Sequence, residues 1–126
     1  MCVDISHTRL ASNHFGFDFY DGIATLGPYT RHYHLGDSKG VDGEGLQIGD
    51  GDIDFRKLGD VMAKHAPGAW FIPEIWQGHK NLGEGFWVAL ERLDAVSPAE
   101  LKELLRGSYE LVRAGLPRKL REKLTS

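Results

Sequence analysis

Asp4, His34 and Glu74 have side chains that together could hold a divalent metal ion. A carboxylate, an imidazole and a second carboxylate form a mixed oxygen and nitrogen donor set, suited to Mn²⁺, Co²⁺, Mg²⁺, Zn²⁺ or Fe²⁺. His7 follows Asp4 by three residues, close enough to turn into the same pocket. Taken singly, each residue has an ordinary role: Asp4 as a cap or turn residue, His34 as a hydrogen-bonded core histidine, Glu74 as an ion-pair partner. What joins them is position, because each sits near the carboxyl end of a segment that reads as a β-strand.

Residues 2–5 form the first of these segments, and the polar stretch 6–14, without apolar periodicity, reads as a strand end and its loop. Phe15, Phe19, Ile23 and Leu26 recur at helical spacing and predict a helix of about three turns, stopped at Gly27-Pro28. Residues 30–35 are β-favourable, and period two puts His32 and His34 on one face with Arg31, Tyr33 and Leu35 on the other. Six glycines and four acidic residues between 36 and 51 predict a long loop. Phe55, Leu58, Val61 and Met62 trace a helix ended by Pro67-Gly68. Trp70, Ile72 and Glu74 then alternate with Phe71, Pro73 and Ile75, a strand with apolar residues on both faces that suits a buried parallel sheet, with Pro73 at its end. Phe86, Leu90 and Leu93 mark another helix, and Ser97-Pro98-Ala99-Glu100 is a capping box that opens one running to about residue 113. A basic stretch, 118–123, follows as a short solvated helix. The order predicts an α/β fold with parallel strands joined by helical crossovers, in which ligands bind at the carboxyl ends of the strands.

Composition narrows the function classes. Fifteen Lys and Arg stand against 18 Asp and Glu, a net charge of −3, so neither nucleic acid nor an anionic membrane surface is an expected partner. A single cysteine, Cys2, and no signal-like or membrane-spanning apolar run fit a soluble, cytoplasmic protein. Gly43-Glu44-Gly45 lacks the third glycine of a dinucleotide fingerprint. Asp50, Asp52 and Asp54 have calcium-loop spacing, but Phe55 stands where that loop needs glycine, so they read as turn and N-cap residues. Cys2, His14 and His65 read as structural. Lys39 and Lys80 could contact a phosphate or a sugar hydroxyl.

Asp4-Ile5-Ser6-His7, the run from His34 through Gly36-Asp37-Ser38-Lys39-Gly40, the run Ile48-Gly49-Asp50-Gly51-Asp52-Ile53-Asp54, and Pro73-Glu74 occur in an order and spacing that resembles the later strands of xylose isomerase-like barrels. That superfamily includes sugar-phosphate isomerases and epimerases and the abasic-site endonucleases. The resemblance covers roughly residues 1–93 and implies a partial (β/α) barrel made of the last three parallel strands with their helices, in one domain, with residues 97–126 as a C-terminal helical extension. It makes Asp4, His34 and Glu74 the metal ligands of the sixth, seventh and eighth strands, for Mn, Co, Mg or Zn. It makes Glu74 one of two acid/base groups, and His7 a residue that contacts substrate in the epimerases and metal in the endonucleases. The second acid/base glutamate, on an earlier strand, has no counterpart here.

The endonucleases carry an aspartate and a histidine two apart before a Gly-x-Gly turn. This sequence has Gly43 and Gly45 there, or Asp42 and Glu44 with the loop shifted by one, and no histidine. The resemblance therefore implies a metal-dependent sugar or sugar-phosphate isomerase or epimerase, working by proton transfer through an enediolate. Trp76 could stack on a sugar ring while Gln77 or His79 bonds its hydroxyls; alternatively Trp76 packs under the final helix. Three strands cannot close a barrel. The competing expectation is thus a non-catalytic fragment or assembly subunit, completed as a homo-oligomer or by a chain that supplies the missing strands.

Overall fold

The computed structural model describes residues 1–96, so the predicted capping box at Ser97, its helix and the basic stretch lie outside the described residues. The chain runs β1 (Cys2–Asp4), α1 (Ile5–Phe15), α2 (Phe19–Leu26), a 3₁₀ turn (Gly27–Tyr29), β2 (His32–Leu35), β3 (Asp37–Lys39), β4 (Gly43–Leu46), α3 (Phe55–His65), β5 (Trp70–Pro73) and α4 (Lys80–Val96). Strands β1, β2 and β5 form a parallel sheet in that order, and β3 and β4 form a separate antiparallel pair. Successive strands are added on one side without reversal, which is how a barrel wall is wound and not how a doubly wound sheet is. Among the described residues this is the α/β arrangement of a partial barrel.

The sheet has one covered face. Val3, Tyr33, Leu35 and Phe71 point into a core shared with Phe19 and Ile23 of α2, Phe55, Leu58 and Met62 of α3, and Ala89 and Leu93 of α4. Each such side chain contributes about 1.5–3 kcal/mol by leaving water. The opposite face carries two rows set by the strand register: Cys2, His32 and Trp70, then Asp4, His34 and Ile72. Trp70 and Ile72 are half exposed, at 50% and 45%. The expectation that β5 is buried on both faces is corrected: its Phe71 side is buried, and the other side is uncovered by any described residue. No described helix is long and apolar enough to cross a membrane.

Two further expectations are corrected. The stretch read as a loop after the first strand is helix α1, capped by Asp4, whose Oδ1 accepts the N–H of His7 at 2.9 Å, and ended by Gly16 at φ +75°. Its periodicity is hidden because serines, Ser6 and Ser12, share its buried side with Ile5 and Leu10. The expected three-turn helix from Phe15 is interrupted by Gly16, so Phe15 ends α1, three-quarters exposed, and α2 begins at Phe19 with Asp18 as its cap. The stripe of four aromatic and aliphatic residues spans two helices.

The long loop contains the β3–β4 hairpin and is organised by one side chain. Asp37 is completely buried, and its carboxylate accepts the N–H groups of Ser38 (2.8 Å), Gly49 (3.0 Å), Gly51 (2.9 Å) and Ile53 (3.2 Å). Gly51 must be glycine, because a Cβ there would stand 2.2 Å from Ser38 O and 2.4 Å from Asp37 Oδ1. The neighbouring aspartates have the turn and cap roles expected: Asp52 accepts from Gly40 N, and Asp54 caps α3 through Arg56 N and Lys57 N. Replacing Asp37 by alanine leaves several donors unsatisfied. Asp37→Ala is expected to lower stability by roughly 3–5 kcal/mol in urea unfolding, against less than about 1 kcal/mol for Asp42→Ala on the exposed turn.

Candidate metal centre

Strand register builds the site. Asp4 is the last residue of β1 and lies directly across from His34, while Glu74 follows β5 by one residue, two beyond the position paired with His34. Alternation therefore sends all three side chains to the uncovered face. One ligand atom from each lies within 4.8 Å of the others. His34 Nδ1 and Glu74 Oε2 are in direct contact as an imidazole–carboxylate pair. The backbone is fixed close by: Glu74 N donates to Leu35 O at 2.8 Å, and Gly36 admits this approach because a Cβ there would meet Glu74 O at 2.6 Å. The oxygen, nitrogen, oxygen donor set and its spacing fit a divalent ion of the Mg²⁺ to Zn²⁺ range, with small side-chain movements closing the shell.

Beside these ligands, His7 stands between two carboxylates. Its Nδ1 lies 3.1 Å from Asp4 Oδ2 and its Nε2 lies 2.7 Å from Glu44 Oε2. The hydrogen bond to Glu44 raises the imidazole above its ordinary 6.5, helped by the charge of Asp4 and opposed by slight burial. Glu44 reaches His7 from β4, a contact that only the folding of the loop into a hairpin creates. Ser6 makes the same junction from below, donating to Asp37 O at 3.2 Å and accepting from Gly45 N at 2.9 Å.

The other expected contact residues lie on the periphery. Lys39 is exposed at the end of β3, where its backbone pairs with Gly43. Trp76 is 73% exposed and does not pack under a described helix, although its N–H donates to Gly45 O at 2.7 Å. Gln77 Oε1 accepts from Lys80 Nζ at 2.7 Å, and His79 is exposed. None of these four belongs to the converging ligand set. Two residues not expected at the site do appear on its face: Cys2, read as structural, is exposed, and with His32 and His34 it forms a second converging group. Period two already placed His32 beside His34, and the pairing of Cys2 with His32 supplies the rest.

Comparison with known proteins places the fold. The model of the xylose isomerase-like TIM barrel family matches residues 1–96. The chain belongs to that family. The match covers the same residues as the described structure, and within it the three parallel strands present Asp4, His34 and Glu74 at their carboxyl ends. No curated protein and no solved structure matches the chain. Membership in the xylose isomerase-like family suggests chemistry of the sugar isomerase and epimerase type or a related kind.

The His7 bridge has a measurable consequence. Because its folded value lies above 6.5, the contribution of the bridge to stability is fully present below pH 6.5 and is lost as pH rises through the folded value. By NMR titration His7 is expected to titrate above 6.5, and Glu44→Gln to bring it down toward 6.5, more than Asp4→Asn does.

Proposed function

We propose that this chain carries the metal-holding and proton-transferring wall of a sugar or sugar-phosphate isomerase or epimerase. The observation that carries the reading is the convergence of Asp4, His34 and Glu74 within 4.8 Å in a chain of the xylose isomerase-like family. A divalent ion there (Mn²⁺, Co²⁺, Mg²⁺ or Zn²⁺) would polarise the carbonyl and hydroxyl oxygens of a bound sugar. Glu74 is the proton carrier: its carboxylate takes the proton from the carbon next to the carbonyl, and the electron pair left behind moves onto the carbonyl oxygen to give an enediolate. A proton delivered to the other face by a second acid facing Glu74 inverts the carbon; returned by Glu74 to the neighbouring carbon, with the hydroxyl proton passing between the two oxygens, it shifts the carbonyl. His34 orients Glu74 through the direct contact of their side chains.

His7 meets substrate at Nε2 when a substrate oxygen displaces Glu44. Lys39 suits a phosphate group, Trp76 offers an exposed ring for stacking on a sugar, and Gln77 and His79 offer partners for hydroxyls. Abasic-site cleavage is less favoured, because both ring nitrogens of His7 face carboxylates and no histidine follows in the hairpin. Trp70 and Ile72 on the uncovered face support an assembly in which further strands, from a second copy or another chain, complete the barrel.

Two measurements test this. In the complete assembly, deuterium exchange from solvent into substrate is expected to depend on added divalent ion and to fall at least about 100-fold in Glu74→Gln; the absence of any bound divalent ion would sink the reading. In sedimentation the chain is expected as an oligomer or in a complex, and a stable, metal-free monomer would favour a non-catalytic role.

A further inference from the structure

The uncovered face carries a second donor group, of which Cys2 and His32 have no part in the proposed isomerase chemistry. Cys2 and His32 are direct partners across the β1–β2 pair, one row nearer the amino ends of the strands than Asp4 and His34. One ligand atom each from Cys2, His32 and His34 lies within 4.8 Å of the others. The rings of His32 and His34 stand 5.3 Å apart, edge to face, at 88°. Around a tetrahedral zinc, with bonds of about 2.0–2.3 Å, donor atoms are separated by about 3.3–3.8 Å, so modest rotations of three accessible side chains fill three of its four positions.

The geometry points to a second metal site, formed by Cys2, His32 and His34, that takes a thiolate-preferring divalent ion such as Zn²⁺. The chemistry of the two rows differs. Asp4, His34 and Glu74 offer two oxygens and one nitrogen, whereas Cys2, His32 and His34 offer one sulfur and two nitrogens. Sulfur and imidazole favour zinc over magnesium or manganese, and oxygen donors favour the reverse. Three protein ligands leave a fourth position for water. The Cys2 thiol gives its proton to solvent as the ion binds, so the S–H bond breaks as the metal–sulfur bond forms. Trp70, paired with His32 in the same row, lies beside the group and limits its approach from the β5 side. His34 belongs to both sets, which places the two ions in competition for one imidazole or on either side of it.

Cobalt(II) reports on this directly, because thiolate coordination gives a near-ultraviolet charge-transfer absorption that oxygen and imidazole ligands do not. The full chain, kept reduced, is titrated with Co²⁺ and then with Zn²⁺. The expected result is an absorption that saturates at one cobalt per chain and is removed by Zn²⁺. It disappears in Cys2→Ser, weakens in affinity by about tenfold or more in both His32→Ala and His32→Gln, and persists in Glu74→Gln. Far-ultraviolet circular dichroism, unchanged in these surface variants, separates ligand loss from misfolding. The proposal is overturned if the wild-type chain shows no such absorption, if the His32 variants bind cobalt with undiminished affinity, or if Glu74→Gln abolishes the signal. The last outcome would assign the ion to the carboxylate row, while failure of the sugar chemistry alone leaves the cobalt result intact.

Discussion

Four backbone N–H groups converge on the buried carboxylate of Asp37, and the rest of the site hangs from that convergence. A carboxylate removed from water is tolerable only when its lone pairs are answered, and here donors from residues 38 to 53 answer them. In doing so they close the loop after β4 back onto β3 and make the hairpin a rigid part. That hairpin then grips neighbours of the two candidate ligands Asp4 and Glu74. Ser6, two residues after Asp4, bonds Asp37 O and Gly45 N, and Trp76, two residues after Glu74, bonds Gly45 O. The spacing of Asp4, at the end of β1, from Glu74, just past β5, is thereby held through the Ser6 hydroxyl and the Trp76 backbone, contacts that neither residue makes itself.

Asp4 shows how few residues the arrangement uses. It ends β1, caps α1 through Oδ1, contacts His7 through Oδ2 and turns toward His34 and Glu74. A helix that starts at the last residue of a strand aims the positive end of its dipole at the same point, which favours the carboxylate there and any anionic group brought to it. The ordinary reading of Asp4 as a cap is what the structure shows, and the proposed role as a ligand would fall on the same side chain.

What was legible in the sequence was local. The three strands and their carboxyl-end residues followed from period two and from turn residues, and Pro73 marked the end of β5 because it lacks an N–H for the sheet. Helix α1 was illegible because its inner face is held by Ser6 and Ser12, and the partners of Ser6 lie 31 and 39 residues away. Glycine content announced a loop at 36–51, but nothing local tells that Asp37 is its buried centre, since its outer donors lie 12 to 16 residues on. Phe15 matched a helical stripe by coincidence of spacing, and an αL glycine cut it away. The face of β5 was misjudged for a different reason: Trp70 and Ile72 are apolar as a barrel interior requires, yet the described sheet has no opposite wall.

The strand count of that sheet constrains what can complete it. All three strands run in one direction, so a ring built on them joins edge β1 of one unit to edge β5 of another, head to tail, and a two-fold pairing of like edges would set strands antiparallel. Copies of a three-stranded unit then give rings of six or nine strands, and the barrel of this family has eight. Eight is not a multiple of the three parallel strands found among the described residues. Closure at eight would take five more strands, running parallel to these and meeting the outer edges of β1 and β5.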